Sequence, residues 1–272
     1  GGIANSVNKT RQTSFEALES KAQWFIDTMS SMGVTTVEAK SGYGLDKETE
    51  LKQLQVVRAL NERPDQKVDL VSTYLGAHAI PPEYKNRPDE YIDYIIREML
   101  PLVLEEQLAE NCDIFCEKLL QAAKEMGFGI KIHADEIVSF GGAELAGELG
   151  ALSADHLLHA SDNGIRAMAQ NNVVATLLPL TAFALREPYA RGREMIDAGC
   201  AVALATDLNP GSCLSGSIPL TIALGCIYMK LSIEEVITAL TLNGAAAIGR
   251  ADRIGSIEKG RIVYTEPFVS EH

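Results

Sequence analysis

The sequence has 272 residues, 46% of them hydrophobic, which is enough for one large core of the size that α/β barrels reach. Acidic residues outnumber basic ones 37 to 24, for a net charge of −13, and no basic face of the kind a nucleic-acid binder needs can be read in the chain. No apolar run has membrane length, and the opening GGIANSVNKTR lacks the apolar centre of a signal peptide.

In chain order, the first pattern is helical, over 14–33. Ser14 with Glu16 and Glu19 reads as a capping box, and Gly33 ends the pattern. A β-branched run follows at 34–41, then a helix over 46–64 with Asp46 as N-cap and Pro64 as its limit. Further strands are expected at 68–78, 113–117, 129–133, 152–156, 173–179 and 202–207, with helical patterns between them and a last helix over 232–249. Most of the strand runs are nearly continuous in apolar residues, as in parallel strands covered on both faces. Seven strands in unbroken alternation with helices predict a parallel sheet, and a (β/α) TIM-type barrel in preference to an open doubly wound sheet. No G-x-G-x-x-G follows a strand, so a dinucleotide-binding fold lacks its fingerprint. Without a linker or low-complexity segment, residues 1–272 read as one domain. The five cysteines (Cys112, Cys116, Cys200, Cys213 and Cys226) form no secreted-type framework, which suits a reduced cytoplasmic setting. Cys112 and Cys116 lack a second pair of ligands and read as buried structural thiols.

In such a barrel the chemistry sits at the C-terminal ends of the strands. His78 lies at the end of the run 68–78, and KIHADE (131–136) puts His133 and Glu136 at the end of the next long one. His156 ends 152–156, and Asp207 with Asn209 follows 202–207. Each has an ordinary structural reading: a satisfied core histidine, a turn cap, a loop hydrogen bond. His159, three residues after His156, falls on the opposite face and reads as a packing or surface residue. Taken together, imidazole and carboxylate at several strand ends suit a zinc or iron ion, which would make hydroxide available near neutral pH. A carboxylate can then shuttle the proton and an imidazole can stabilise an oxyanion. That is hydrolysis of an amide-like C–N bond.

The strand-end His, His, Asp order resembles the amidohydrolase superfamily. More narrowly, GVTTVEAKSGYGLD (33–46), VSTYLGAHAIP (71–81), DIFCE (113–117), KIHADE, SADHL (153–157), ATLLP (175–179) and ATDLNPGS (205–212) resemble the imidazolonepropionase family. These enzymes hydrolyse 4-imidazolone-5-propanoate to N-formimidoyl-glutamate in histidine degradation. The resemblance implies one zinc or iron ion, with His133 and Asp207 as metal ligands and Asp207 as proton shuttle. It places His156 beside the reacting water and Glu136 on a ring nitrogen. Tyr43 and His78 would line the ring and propionate pocket, and Asn209, Gly211 and Ser212 would hold the carboxylate, the NPGS loop offering backbone N–H groups. A small-molecule substrate and a homodimer are implied as partners. The sequence departs from the family in having no H-x-H pair and no arginine after it. The seven strands are therefore expected to be strands two to eight of the barrel, with the first strand and most of an accessory β-sandwich missing. The connection between DIFCE and KIHADE also reads as shortened. Dihydroorotase-type or nucleobase-deaminase-type amidohydrolases are the alternative enzymes, against which KSGYGLD and TDLNPGS speak. An inactive incomplete barrel is the non-enzymatic alternative.

Overall fold

Residues 3–114 and 116–263 are described in a computed structural model. Seven parallel strands form the centre: β1 (Thr36–Lys40), β2 (Asp69–Tyr74), β3 (Asn111–Asp113), β4 (Gly129–Ala134), β5 (Ser153–His156), β6 (Val174–Leu177) and β7 (Val202–Leu204). They are hydrogen-bonded in chain order, β1 to β7, each parallel to the next. The sheet curls as part of a barrel. Among the described residues, β1 pairs only with β2 and β7 only with β6.

The helices are α1 (Ile3–Gln12), α2 (Phe15–Ser30), α3 (Lys47–Asn61), α4 (Pro88–Tyr94), α5 (Leu100–Glu105), α6 (Glu117–Glu125), α7 (Gly142–Leu149), α8 (Asp162–Gln170), α9 (Pro179–Leu185), α10 (Gly192–Asp197), α11 (Ile218–Ile227), α12 (Ile233–Leu240) and α13 (Leu242–Ala247). Every strand-to-strand crossover carries at least one of them, as parallel pairing requires. The outward residues Ile130, Ile132, Ala154, Ala175 and Leu177 are buried beneath the helices with Leu119, Leu120, Ile165 and Met168. A second cluster joins α2, α3 and β2 through Ile26, Val56, Leu60 and Leu70.

The expected elements are present, with differences that have local causes. The strands are shorter than the apolar runs that announced them. The run 68–78 stops pairing at Tyr74, and His78 lies beyond it in a turn that closes on Leu75 O. The strand expected at 113–117 pairs instead at Asn111–Asp113, because α6 starts at Glu117. Residue 115, inside DIFCE, lies outside the described residues, as do residues 264–272 of the tail. Ser14 caps α2 by accepting from Ala17 N, but Ala17 occupies the position where a capping box needs Glu or Gln. The reciprocal box is instead at Ser232 and Glu235. The last helix is broken at Thr241 into α12 and α13. α4 and α5 are continuous through a π turn at Ile95–Met99.

The expectation of nearly continuous apolar strands needs correction. β1, β3, β4 and β5 alternate, and their inward face is polar, while β6 and β7 stay largely apolar. Glu38 and Lys40, Asn111 and Asp113, Lys131 and His133, and Ser153 and Asp155 are pairs two residues apart, which strand geometry puts on one side. The first turn of packing around them is charged rather than oily, and that is what the site stands on.

Candidate active site

Lys40 is the hub of the barrel interior. Its Nζ lies 2.6 Å from Asp113 Oδ2, 3.0 Å from Asp155 Oδ2 and 3.0 Å from Glu38 Oε1. Lys131 lies below, bonded to Ser153 Oγ and, at 3.0 Å, to Ala247 O at the end of α13, with Glu38 Oε2 at 3.4 Å. Burial works against charge on Lys40, Asp113 and Asp155, but the mutual attraction outweighs it. Asp113 is held well below the usual carboxylate range by His133 and Lys40, and Asp155 is held below it by Lys131 and Lys40. Lys40 is raised well above the usual ammonium value by Asp113, Asp155 and Glu38. Donor atoms of Asp113, His133 and Asp155 lie within 4.8 Å of one another. A cation could sit among them only by displacing the Lys40 ammonium that both carboxylates already bind.

Asp113 also sets the geometry of His133, at the end of β4. One carboxylate oxygen accepts from the His133 backbone N–H at 3.0 Å and the other lies 2.8 Å from His133 Nδ1. A proton on Nδ1 leaves Nε2 as the ligand atom, the arrangement in which a carboxylate orients a metal-binding imidazole. Sequence reasoning did not select Asp113, Lys40, Asp155 or Glu38. Their two-residue spacing was the signal available.

Three strand-end residues take left-handed backbone: Asp135 (φ 48°), His156 (φ 76°) and Asp207 (φ 49°). Such conformations cost energy in non-glycine residues and gather at functional sites. By alternation His156 would follow Ala154 toward the helices, but the positive φ at His156 and at Leu157 (61°) breaks the strand. Its ring centroid lies 5.1 Å from that of the inward-facing His133. Asp135 is buried and acts as a staple, accepting from the amides of Phe140, Gly142 and Ala143 at 2.8–3.2 Å. It thereby anchors the loop that carries Glu136 and leaves Ile137, Val138 and Phe140 exposed.

The remaining residues named from the sequence fall around these. His78 stands 5.8 Å from His133 and 5.1 Å from Tyr43, ring centre to ring centre. Its Nδ1 lies 3.1 Å from Gly42 O, which assigns the proton of the neutral ring to Nδ1. Glu136 Oε1 is 3.7 Å from His156 Nδ1, and both line a small cleft with Ile137, Leu158, Thr181 and Leu185. Thr181 Oγ1 donates to Asp207 Oδ2 at 2.6 Å. Burial raises the Asp207 and Glu136 carboxyls, and His133 opposes it in both. Tyr43 Oη donates to Asn209 Oδ1 at 3.4 Å, and burial with Asp207 and Glu136 nearby keeps this phenol protonated. The amides of Gly211 and Ser212, expected to face an anion, instead donate to Asn209 Oδ1 at 2.9 and 2.8 Å. They close an Asx-type turn, so an anion could use them only by displacing the Asn209 side chain. His159 is half-buried and its amide donates to Asp135 O. Cys112 is buried and Cys116 partly so, both free.

The two central histidines should act oppositely on stability. Burial, then the nearby His133, pushes His156 down to about 3, so it is neutral at pH 7. Burial also disfavours charge on His133, but Asp113 outweighs it and raises the ring. A depressed histidine contributes stability that is full above its unfolded value of about 6.5 and is lost as pH falls toward the folded value. A raised one contributes stability that is full below about 6.5 and is lost as pH rises through its folded value. Below about pH 6 the His133 contribution changes little, and among the histidines it is His156 and the likewise lowered His78 that still titrate against the folded state. Urea unfolding at pH 6 and pH 5 should therefore show the native chain losing stability and His156→Gln losing distinctly less. Equal losses would mean that the His156 ring is not the titrating group.

Comparison with known proteins agrees with this architecture. The profile described as "Amidohydrolase family" matches residues 28–262. Imidazolonepropionases of Phocaeicola vulgatus and Bacteroides thetaiotaomicron are 72% and 73% identical, each over 96% of this chain and 66% and 65% of their own length. The imidazolonepropionase of Clostridium tetani is 60% identical over 96% of this chain and 64% of its own. The chain thus spans about two thirds of the length of the curated relatives it matches, and the resemblance read from the motifs is borne out. Among solved structures, an uncharacterized metal-dependent hydrolase from Pyrococcus furiosus superposes with a TM-score of 0.67 at 13% identity, over 92% of this chain and 59% of the other. Guanine deaminase from C. acetobutylicum gives 0.65 at 15%, over 94% and 67%. At such identities the likeness is one of fold, and it matches a partial barrel. With its profile match running from the end of α2 to beyond α13, the chain belongs to the amidohydrolase family.

Proposed function

We propose that this chain supplies most of the catalytic barrel of a metal-dependent cyclic amidase that hydrolyses 4-imidazolone-5-propanoate to N-formimidoyl-L-glutamate. The observation that carries this reading is identity above 70% to relatives named imidazolonepropionase across nearly the whole chain. The clustering of His78, His133, Glu136 and His156 at the strand ends is consistent with it.

The donor set fits zinc or iron. His133 has Nδ1 committed to Asp113, which leaves Nε2 as its ligand atom, and Asp207 is a half-buried carboxylate just past the end of β7. His133 and Asp207 would hold the ion, with further ligands from a strand between the open edges of β1 and β7. When bound, such an ion lets a water molecule give up a proton near neutral pH. Asp207 takes that proton and passes it to the ring nitrogen. The water oxygen joins the ring carbonyl carbon as the C–N bond breaks, leaving a carboxylate and an N–H. Neutral His156 donates a hydrogen bond to the oxyanion that develops on the way. Glu136 bonds a ring nitrogen, and Tyr43 and His78 flank the ring. Asn209, with Gly211 and Ser212, receives the propionate. One barrel domain suffices for this set.

Metal analysis and turnover test the reading, on this chain and on a version extended to the length of its relatives. The extended protein is expected to hold one zinc or iron ion and to hydrolyse imidazolone propionate, but not dihydroorotate or cytosine; this chain alone is expected to bind little metal. Turnover of dihydroorotate or cytosine instead would favour the alternative amidohydrolases. Stoichiometric metal and full activity in the 272-residue chain would require a different ligand set.

A further inference from the structure

Residues 41–45, between β1 and α3, carry Tyr43 at their centre, and nearly every other backbone polar group of this loop is tied down. Arg11 Nε donates to Gly44 O at 2.8 Å, Tyr91 Oη to Leu45 O at 3.1 Å, and His78 Nδ1 approaches Gly42 O at 3.1 Å. The amides converge on a single side chain. Glu50, 1% exposed, accepts from Gly42 N at 3.0 Å, Gly44 N at 2.7 Å and Leu45 N at 2.9 Å. Only a tight backbone permits this. Gly42 has φ +103°, and a Cβ there would lie 2.8 Å from Leu75 O; one at Gly44 would lie 2.7 Å from Thr49 Cβ.

Glu50 is in the first turns of α3, where an acidic residue often serves its own helix. Here that duty is already discharged: Asp46 caps Thr49 N, and Glu50 N donates to Asp46 O. The Glu50 carboxylate turns away from the helix to the loop. It is therefore buried for the loop's sake, a costly place for a carboxylate unless several donors meet it.

We infer that Glu50 is a positioning residue for the substrate cleft. Its carboxylate fixes the loop that presents Tyr43, and through the Gly42 carbonyl it fixes the His78 ring and its tautomer. The inference rests on the proposed function for the substrate contacts of Tyr43 and His78, while the loop geometry stands independently. Glu50 does not touch the reacting atoms, so its loss should damage binding more than the chemical step.

The test uses the full-length, metal-loaded protein carrying Glu50→Gln, with exposed Glu48→Gln as the control for charge. Glu50→Gln keeps the size of the side chain but turns a donor group toward amides that need an acceptor. KM for imidazolone propionate is expected to rise about tenfold or more with kcat within about threefold, while the control matches the parent. Combining Glu50→Gln with Tyr43→Phe should cost clearly less than the product of the two separate effects, because one acts through the other. Glu50→Asp, with the charge kept but withdrawn by one methylene, should fall between and serves if the glutamine variant does not fold. A KM within about twofold of the parent in a folded variant overturns the inference. If the parent itself does not act on imidazolone propionate, the functional reading fails first, and amide exchange then decides on Glu50. Faster exchange at Gly42, Gly44 and Leu45, with loss of the His78 Nδ1–H signal and the remaining core still protected, supports the positioning role. Unchanged exchange at those three amides overturns it.

Discussion

Asp207→Asn is expected to lower kcat on imidazolone propionate by about a thousandfold in the full-length, metal-loaded protein, while the fold persists. The amide matches the carboxylate in shape and can still accept from Thr181, whose Oγ1 lies 2.6 Å from Asp207 Oδ2. What it cannot do is take a proton from water and give it to the ring nitrogen. It is also a poorer ligand, so turnover is to be compared at saturating metal, with the bound ion counted in each sample. Circular dichroism and melting temperature should remain close to those of the parent. Turnover near the parent's would remove Asp207 from the mechanism proposed above.

The second large effect is on stability. Lys40→Met takes away the cation that Asp113, Asp155 and Glu38 share. Removing one partner from a buried ion pair typically costs about 3–5 kcal/mol; Asp113 keeps His133 and Asp155 keeps Lys131, and Lys40 is partly exposed, which sets the loss at the lower end of that range. The 272-residue chain carrying Lys40→Met should therefore be destabilised by about that amount, read from denaturant midpoints at constant m-value. Adding Asp155→Asn to Lys40→Met should then cost less than the sum of the two single changes, since the second removes a charge that the first left with Lys131 alone. Additive losses would mean that Lys40 and Asp155 do not communicate, and the network as described would be wrong.

Much of this architecture could be read from the sequence, and the failures have physical reasons. Alternating short strands and longer helices gave the parallel sheet, because that rhythm follows from crossover geometry alone. The strand-end histidines were visible because His133 and His156 close runs whose apolar positions are legible. The polar interior was overlooked although E-A-K, N-C-D, K-I-H and S-A-D all show the two-residue period. Each is only three residues long, and a buried lysine has meaning only beside its partners. Those partners are distant in sequence: Lys40 and Asp155 are 115 residues apart, and no local window contains both. Glu50 was hidden for the opposite reason. It sits on a helix beginning with several acids, and nothing in DKETE tells which of them turns inward. Asp46 as N-cap was legible because capping is local. The NPGS loop is legible as a source of backbone donors, but nothing local tells that the Asn209 side chain engages the amides of Gly211 and Ser212.

The order of the strands has a consequence for how the chain is made. Each strand pairs with the one synthesised just before it, so every new β-α unit emerging during translation meets an edge that already exists. No strand has to be inserted between two earlier ones, and the backbone ladders need no long wait for a distant partner. The charges in the middle do not share this convenience. Lys40 is made with the first strand, meets Asp113 only when the third arrives, and Asp155 only with the fifth. Until those strands arrive, the carboxylate within reach on its own strand is that of Glu38, two residues before it and 3.0 Å away in the finished fold. The neighbour that looks redundant in the finished barrel is the one partner available from the beginning.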